Sequence, residues 1–321
     1  MSEPLHIPVL LQEVIHVLRP QPGEVYVDAT AGLGGHAAAV APLLGPAGLV
    51  VLNDVDPDNL YRAKARVEGC CAAPPWVLTL EGNFADLARR LTENKIRADM
   101  LLADLGFASN QMDDAGRGLS FMREGPLDMR LDPTLPVSAA DLVQTLSESE
   151  LAAIFRDYGE EPGASRVARK IVATRRTSPI LTTAALAAVV RSVLGNRTDR
   201  GIDPSTRVFQ ALRIAVNDEL GVLDALLAGI GQAAQVLSRH DAKGAWCSPG
   251  ARIAVISFHS LEDRMVKRAF SDLARRDLAQ EPLAGALRAS DAETRANPRA
   301  RSAKLRALRL GRAPEKELGR G

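Results

Sequence analysis

Apolar residues fall in short blocks along the first third of the chain. Runs rich in β-branched and aliphatic residues stand at Val25–Asp28, Leu49–Asn53, Trp76–Leu80 and Asp99–Asp104, with a helix-sized gap after each of the first three. Such alternation predicts a parallel sheet with crossover helices. A fifth run, Arg252–Phe258, returns only after a long interval that reads as helix. Within it, Ser147 and Glu150 form a capping box ahead of ELAAIF, and Thr182 and Thr183 precede LAAVVRSVL. Val208–Leu227 is apolar at helical spacing throughout, predicting one long helix back to the sheet. The expected fold is α/β with an all-helical insertion, its edges near Asp113–Gly118 and Asp203–Pro204: core 1–113, insertion 114–205, core 206–321.

The N-terminal MSEPLHIPVLLQEVIHVL has helical spacing and no basic stretch before its apolar residues, which suggests a docking helix, not a secretion signal. No apolar run approaches the roughly 20 residues of a membrane span, so a cytosolic protein with no membrane partner is expected. Composition agrees: of 321 residues, 46% are hydrophobic, 25% charged and only 4% aromatic, so Ala, Leu and Val must build the core.

Forty basic residues against 39 acidic ones leave no global field, so affinity for nucleic acid requires local clustering. One acid-free basic stretch, Asn297–Ala313, contains Arg299, Arg301, Lys304, Arg306, Arg309 and Arg312. The alternation in SAKLRALRL predicts a final strand with one solvated face; beside a ligand crevice, Arg299, Arg301 and Lys304 would grip phosphates. Asp277–Ala296 before it is irregular and linker-like. Cys70, Cys71 and Cys247 form neither a disulfide framework nor a zinc knuckle, and no metal site is expected.

The first run ends in VDATAGLGGH, with Asp28 at the strand end and Gly32, Gly34 and Gly35 in the turn before a helix. Gly32, Gly34 and Ala37 also satisfy a relaxed dinucleotide fingerprint, with Asp54 placed to take a ribose, so a nicotinamide oxidoreductase is a rival reading. A carboxylate beside the glycine turn opposes a pyrophosphate but complements S-adenosylmethionine, which carries an ammonium, a sulfonium and no phosphate. A tight turn without ligand, and for His36 a packed helix-start residue, are the plain alternatives.

The fourth run ends in DLGFASNQ, at the edge of an open sheet where ligands bind. Asp104 can accept protons from an exocyclic amine undergoing methylation, and Gln111 can hold cofactor or base edge; a turn or N-cap acid is the structural alternative for Asp104. Pyrimidine carbon methylation needs a cysteine nucleophile, and no cysteine stands at a strand end, so nitrogen is favoured. After the fifth run, Phe258, His259, Ser260, Glu262, Asp263 and Arg264 are candidates for substrate contact, Phe258, His259 and Ser260 foremost; alternatively Ser260 caps the following helix, with Glu262 and Asp263 on its dipole.

Beyond these readings, HIPVLLQEVI, VDATAGLGGH, NDVDPD, GNF, DLGFASNQ, RGLSFMREGPLDMRLD, YGEE, STRVFQALRIAVNDEL, ISFHSLEDRMVK and NPRARSAKLR resemble, almost end to end, the bacterial small-subunit (16S) rRNA cytosine N4-methyltransferase family. The resemblance implies a Rossmann-like class I methyltransferase sheet with a helical substrate-recognition insertion, and action on a decoding-region cytidine of the rRNA or the 30S particle. It also implies a cofactor site of Gly34, Gly35, His36, Asp54, Phe84, Asp104 and Gln111. Leu33 stands where that family usually has Arg, and Ala108, Ser109 and Asn110 where it has Ser-Ser-Pro; Pro162 and Ser205 also depart. A non-catalytic ribosome-assembly factor is a further alternative. Oligomeric state is open, a homodimer being one possibility.

Overall fold

A computed structural model describes residues 8–195, 203–239 and 243–311. The N-terminal residues before Pro8, and Arg312 and Ala313 of the basic stretch, lie outside them.

In chain order the elements are α1 (Leu11–Leu18), β1 (Val25–Asp28), α2 (Gly35–Leu44), β2 (Leu49–Asp54), α3 (Pro57–Glu68), β3 (Trp76–Glu81), α4 (Leu87–Glu93) and β4 (Ala98–Asp104). There follow α5 (Ser109–Asp113), α6 (Ala139–Thr145), α7 (Glu148–Asp157), α8 (Ala164–Arg175), α9 (Thr183–Leu194), α10 (Ser205–Asn217) and α11 (Glu219–Leu237). The chain ends with β5 (Cys247–Ser257), α12 (Ser260–Arg275), β6 (Ala279–Gln280), β7 (Leu287–Arg288), α13 (Asp291–Ala296) and β8 (Lys304–Leu310).

Two compact units result: one holds the chain up to Gly106 and from Gly221, the other Phe107–Leu220. The sequence placed the helical segment's edges at 114 and 205; the compact segment is longer at both ends. Phe107 and the buried Val208, Phe209, Ala211 and Leu212 of α10 all pack into the helical core with Phe155, Ile171 and Leu186.

The first unit is a sheet in the order β3-β2-β1-β4-β5-β8-β6, with β7 also paired to β8. Pairings from β3 to β5 are parallel, and β8 runs antiparallel to β5. Side chains alternate between faces along each strand. Val27, Val51, Leu101, Ala103, Ile253 and Val255 pack toward α4, α11 and α12. Tyr26, Val50, Leu52, Met100, Leu102, Ala254 and Ile256 pack toward α1, α2 and α3. Burial on both faces explains why these strands read as continuous apolar runs.

Several expectations need correction. The predicted single helix Val208–Leu227 is two, α10 and α11, broken at Asp218, whose φ of 48° is left-handed. The Asn217 side chain fixes the break: its Oδ1 accepts from Leu131 N (2.7 Å) and its Nδ2 donates to Met129 O (2.8 Å). Arg213 clasps Glu219 across it through two bonds of 2.7 and 2.8 Å. Contrary to the absence of long apolar stretches, α11, at 19 residues, is long and apolar enough to span a bilayer. Its Leu223, Leu226, Leu227, Ile230, Ala233 and Ala234 belong to the core beneath the sheet.

The supposedly irregular Asp277–Ala296 contains β6, β7 and α13. The final strand has no simple solvated face, because β8 is interior to the sheet, between β5 and β6. Lys304 and Arg306 are half-buried there, leaving only Arg309 of the strand exposed.

Candidate active site

Parity and register bring the acids together. Asp28, Asp54 and Asp104 end β1, β2 and β4, each in step with the residues facing α2 and α3. Asp28 pairs in register with Leu52 and Leu102, so Asp54 and Asp104 lie one side-chain repeat further along the flanking strands. The β1/β4 junction, where strand order reverses, is the usual ligand crevice of an open parallel sheet.

Asp28 is buried; Tyr26 Oη donates to its Oδ2 and Thr30 N to its Oδ1, both at 3.2 Å. Burial nonetheless raises its pKa to about 7. Burial also pushes the Tyr26 phenol well above its ordinary value, with the Asp28 charge next in importance. Asp54 is raised chiefly by burial, against the backbone donors Asp56 N at 2.9 Å and Gly32 N at 2.7 Å. Asp54 therefore braces the glycine turn and is held in addition by the Asn59 side chain.

Asp104 is driven well above the carboxylate range, first by burial, then by Asp28 and Glu262. Its backbone N donates to Thr30 Oγ1 at 2.7 Å, and its Oδ2 lies 3.7 Å from His36 Nδ1. Its Oδ1 is buried without a hydrogen-bond partner among the described residues. A buried, unpartnered carboxylate oxygen in a group of mutually repelling acids fits a cationic, proton-bearing ligand. S-adenosylmethionine, with its ammonium and sulfonium, satisfies that donor set; a pyrophosphate does not.

The turn leading into α2 is shaped for close approach. Gly34, the N-cap, has φ 72°, and a Cβ there would stand 2.8 Å from Ala63 Cα of α3. Gly35 opens the helix. His36 is a buried first-turn residue whose Nε2 donates to Val9 O at 2.9 Å, tying the segment before α1 to the turn. Phe84, half-buried, begins a short 3₁₀ turn after β3 and packs against the core beneath the sheet. Gln111 lies in α5 of the helical unit, where its Oε1 accepts from Ala108 N at 3.0 Å. The first unit thus brings together Gly34, Gly35, His36, Asp54 and Asp104 of the expected cofactor set.

Among the substrate candidates, Phe258 follows β5 and lies within van der Waals reach of a Cβ built on Gly106. The cap of α12 is His259, not Ser260, which is the helix's first residue and exposed. His259 Nδ1 accepts from Glu262 N (3.4 Å) while Glu262 Oε2 accepts from Phe258 N (2.8 Å) and His259 N (3.3 Å). Asp263 is committed too: it holds Lys304 at 2.8 Å and Arg306 at 2.7 Å. Lys304 therefore anchors α12 to β8, whereas Arg301 is exposed and Arg299 half-buried. Sequence reading missed Tyr26 and Thr30. Tyr26 was detectable two residues before Asp28 on the same strand face, whereas Thr30 meets Asp104 through a contact distant in sequence.

Over 321 aligned residues the chain is 44% identical to "Ribosomal RNA small subunit methyltransferase H" of Syntrophotalea carbinolica, covering 95% of this chain and 97% of that protein. The protein of the same name from Thermomicrobium roseum is 44% identical over 330 residues, covering 96% and 95%. The family model described as "MraW methylase family" matches residues 3–310. Matched along nearly its whole length by this family model and by these relatives, the chain belongs to the MraW methylase family.

Proposed function

We propose that this S-adenosylmethionine-dependent methyltransferase modifies the exocyclic N4 amine of a cytidine in the decoding region of small-subunit rRNA, in the cytoplasm, with the helical unit holding the RNA. The observation that carries the reading is the convergence of Asp28, Asp54 and Asp104 on one sheet face, with Asp104 Oδ1 unpartnered. The cofactor supplies an electrophilic methyl group. Gly34 and Gly35 admit it to the turn, Asp54 accepts from ribose hydroxyls, and Asp28 sets a negative charge behind it. Phe84 offers an aromatic wall to the adenine.

Asp104 Oδ1 accepts from the attacking amine, drawing its lone pair out of ring conjugation. With the cationic methyl donor bound, Asp104 would be held ionised and its Oδ1 could then receive the proton that nitrogen loses. The cysteines favour nitrogen over carbon. Cys247 begins β5, at the opposite end from the acids, is buried, and has its thiol pushed above its ordinary range. Cys70 is raised to about 11, mainly by burial, and follows α3, away from any strand's carboxyl end.

Mass spectrometry of rRNA nucleosides from cells with the protein, without it, and with Asp104→Ala tests this. N4-methylcytidine should vanish in the last two; an unchanged content removes the assignment.

A further inference from the structure

We infer that α8 is the phosphate-binding face of the helical unit, taking the backbone of the RNA substrate; this rests on the reading above and assigns it a surface. Helical geometry places Arg166, Arg169, Lys170 and Arg176 on one stripe, with Ala173 between them, and all five are exposed. The opposite face, Val167, Ala168 and Ile171, is buried in the core of its own unit. The remaining basic residue, Arg175, turns inward and donates to Val143 O at 2.6 Å. From Ala164 to Arg176 there is no acidic residue.

Neighbouring acids leave this charge largely uncancelled. Glu148 of α7 reaches Arg169 at 3.3 Å. On the same helix Glu150 is held by the Ser147 cap and Asp157 by Arg156, while Asp141 of α6 is held by Ser138. The third neighbour, α9, has no acid. Among the described residues, Arg166, Lys170 and Arg176 have no carboxylate within ion-pair distance. The stripe runs ten residues, about 15 Å at helical rise, enough to meet more than one phosphate. The exposed side chains between and beside the cations are Ser165, Ala173 and Thr177, without the large apolar groups that a membrane-lying helix inserts. Cations spaced over a rigid helix, with no apolar anchor, suit a polyanion bound mainly by counterion release.

The test replaces Arg166, Lys170 and Arg176 together by Gln, and, as a control, Arg62, Arg239 and Lys267, exposed basic residues of the other unit. Binding to transcribed small-subunit rRNA, and to small subunits lacking the modification, is measured from 50 to 200 mM salt, beside methyl-donor titration and thermal melting. Loss of three phosphate contacts lowers the salt slope by about 2 to 3, so wild-type affinity falls roughly 15- to 60-fold more than the variant's over that range. KM for RNA should rise at least tenfold, with donor affinity and melting unchanged and the control triple close to wild type. Equal slopes in variant and wild type, or the same loss in the control, overturn the α8 assignment even while wild-type protein methylates rRNA. Wild-type protein that neither binds nor methylates either substrate, or whose α8 captures an acidic protein instead, overturns the RNA reading with it.

Discussion

Replacing Asp28 by Asn should make the cofactor-free first unit more stable in alkali while weakening its hold on the methyl donor. Asn keeps the shape and the Oδ1 that accepts from Thr30 N, and Tyr26 Oη can accept from the new amide. The sign follows from linkage. Asp28 titrates near 7 in the fold against 3.8 for the free side chain, so the folded state binds more protons between those values. Its contribution to stability is full below pH 4 and is lost as pH rises through 7, at up to about 1.4 kcal/mol per pH unit. The interval of about three units amounts to about 4 kcal/mol at pH 8, absent from the Asn variant. Both tryptophans, Trp76 and the buried Trp246, lie in the first unit, so intrinsic fluorescence in urea reports on that unit alone. Wild type and variant should coincide at pH 4, diverge between pH 4 and 7, and run parallel above it. A bound cation holds Asp28 ionised, so donor affinity in wild type should rise with pH up to about 7 and flatten in the variant. Parallel stability curves between pH 5 and 8 would refute the claim that burial holds this carboxyl up.

Asp104→Asn removes the proton acceptor while keeping its shape; methyl transfer should fall by roughly 10²- to 10⁴-fold, with donor affinity, read by calorimetry, within tenfold of wild type. Gly34→Ala sets a Cβ 2.8 Å from the Ala63 backbone at a φ of 72°, which should cost about 2 kcal/mol or more and weaken donor binding at least tenfold, seen by melting and titration. Asn217→Ala strands Leu131 N and Met129 O, and should destabilise the helical unit by about 2–3 kcal/mol, measured by amide exchange in α10. A loss below about 0.5 kcal/mol would mean the α10–α11 break is set elsewhere.

The sequence showed the acids better than it showed their surroundings. Strands buried on both faces appear as compact apolar runs, so their carboxyl ends can be read, and with them Asp28, Asp54 and Asp104. Where a strand begins with residues that usually interrupt one, the same logic fails: β5 starts at Cys247 and passes through Pro249 and Gly250 before the apolar run at Arg252. The Val208–Leu227 pattern continues across Asn217 and Asp218, neither a strong helix breaker. What breaks it is hydrogen bonding to Met129 and Leu131, more than 80 positions earlier.

The same distinction separates the two basic regions. The C-terminal stretch stands out as a block because its cations are close in sequence, yet Lys304 and Arg306 are both held by Asp263 of α12. The stretch from Arg166 to Arg176 is just as dense, with Arg166, Arg169, Lys170, Arg175 and Arg176 and no acid, but only the folded helix shows that four of these share one exposed face while Arg175 turns inward. Electrostatic availability depends on what faces a charge in the fold. Fixed strand parity exposed the strand-end acids in advance; the proposed polyanion surface needed the pairings of Asp263 and Glu148 before it could be told from a solvated helix.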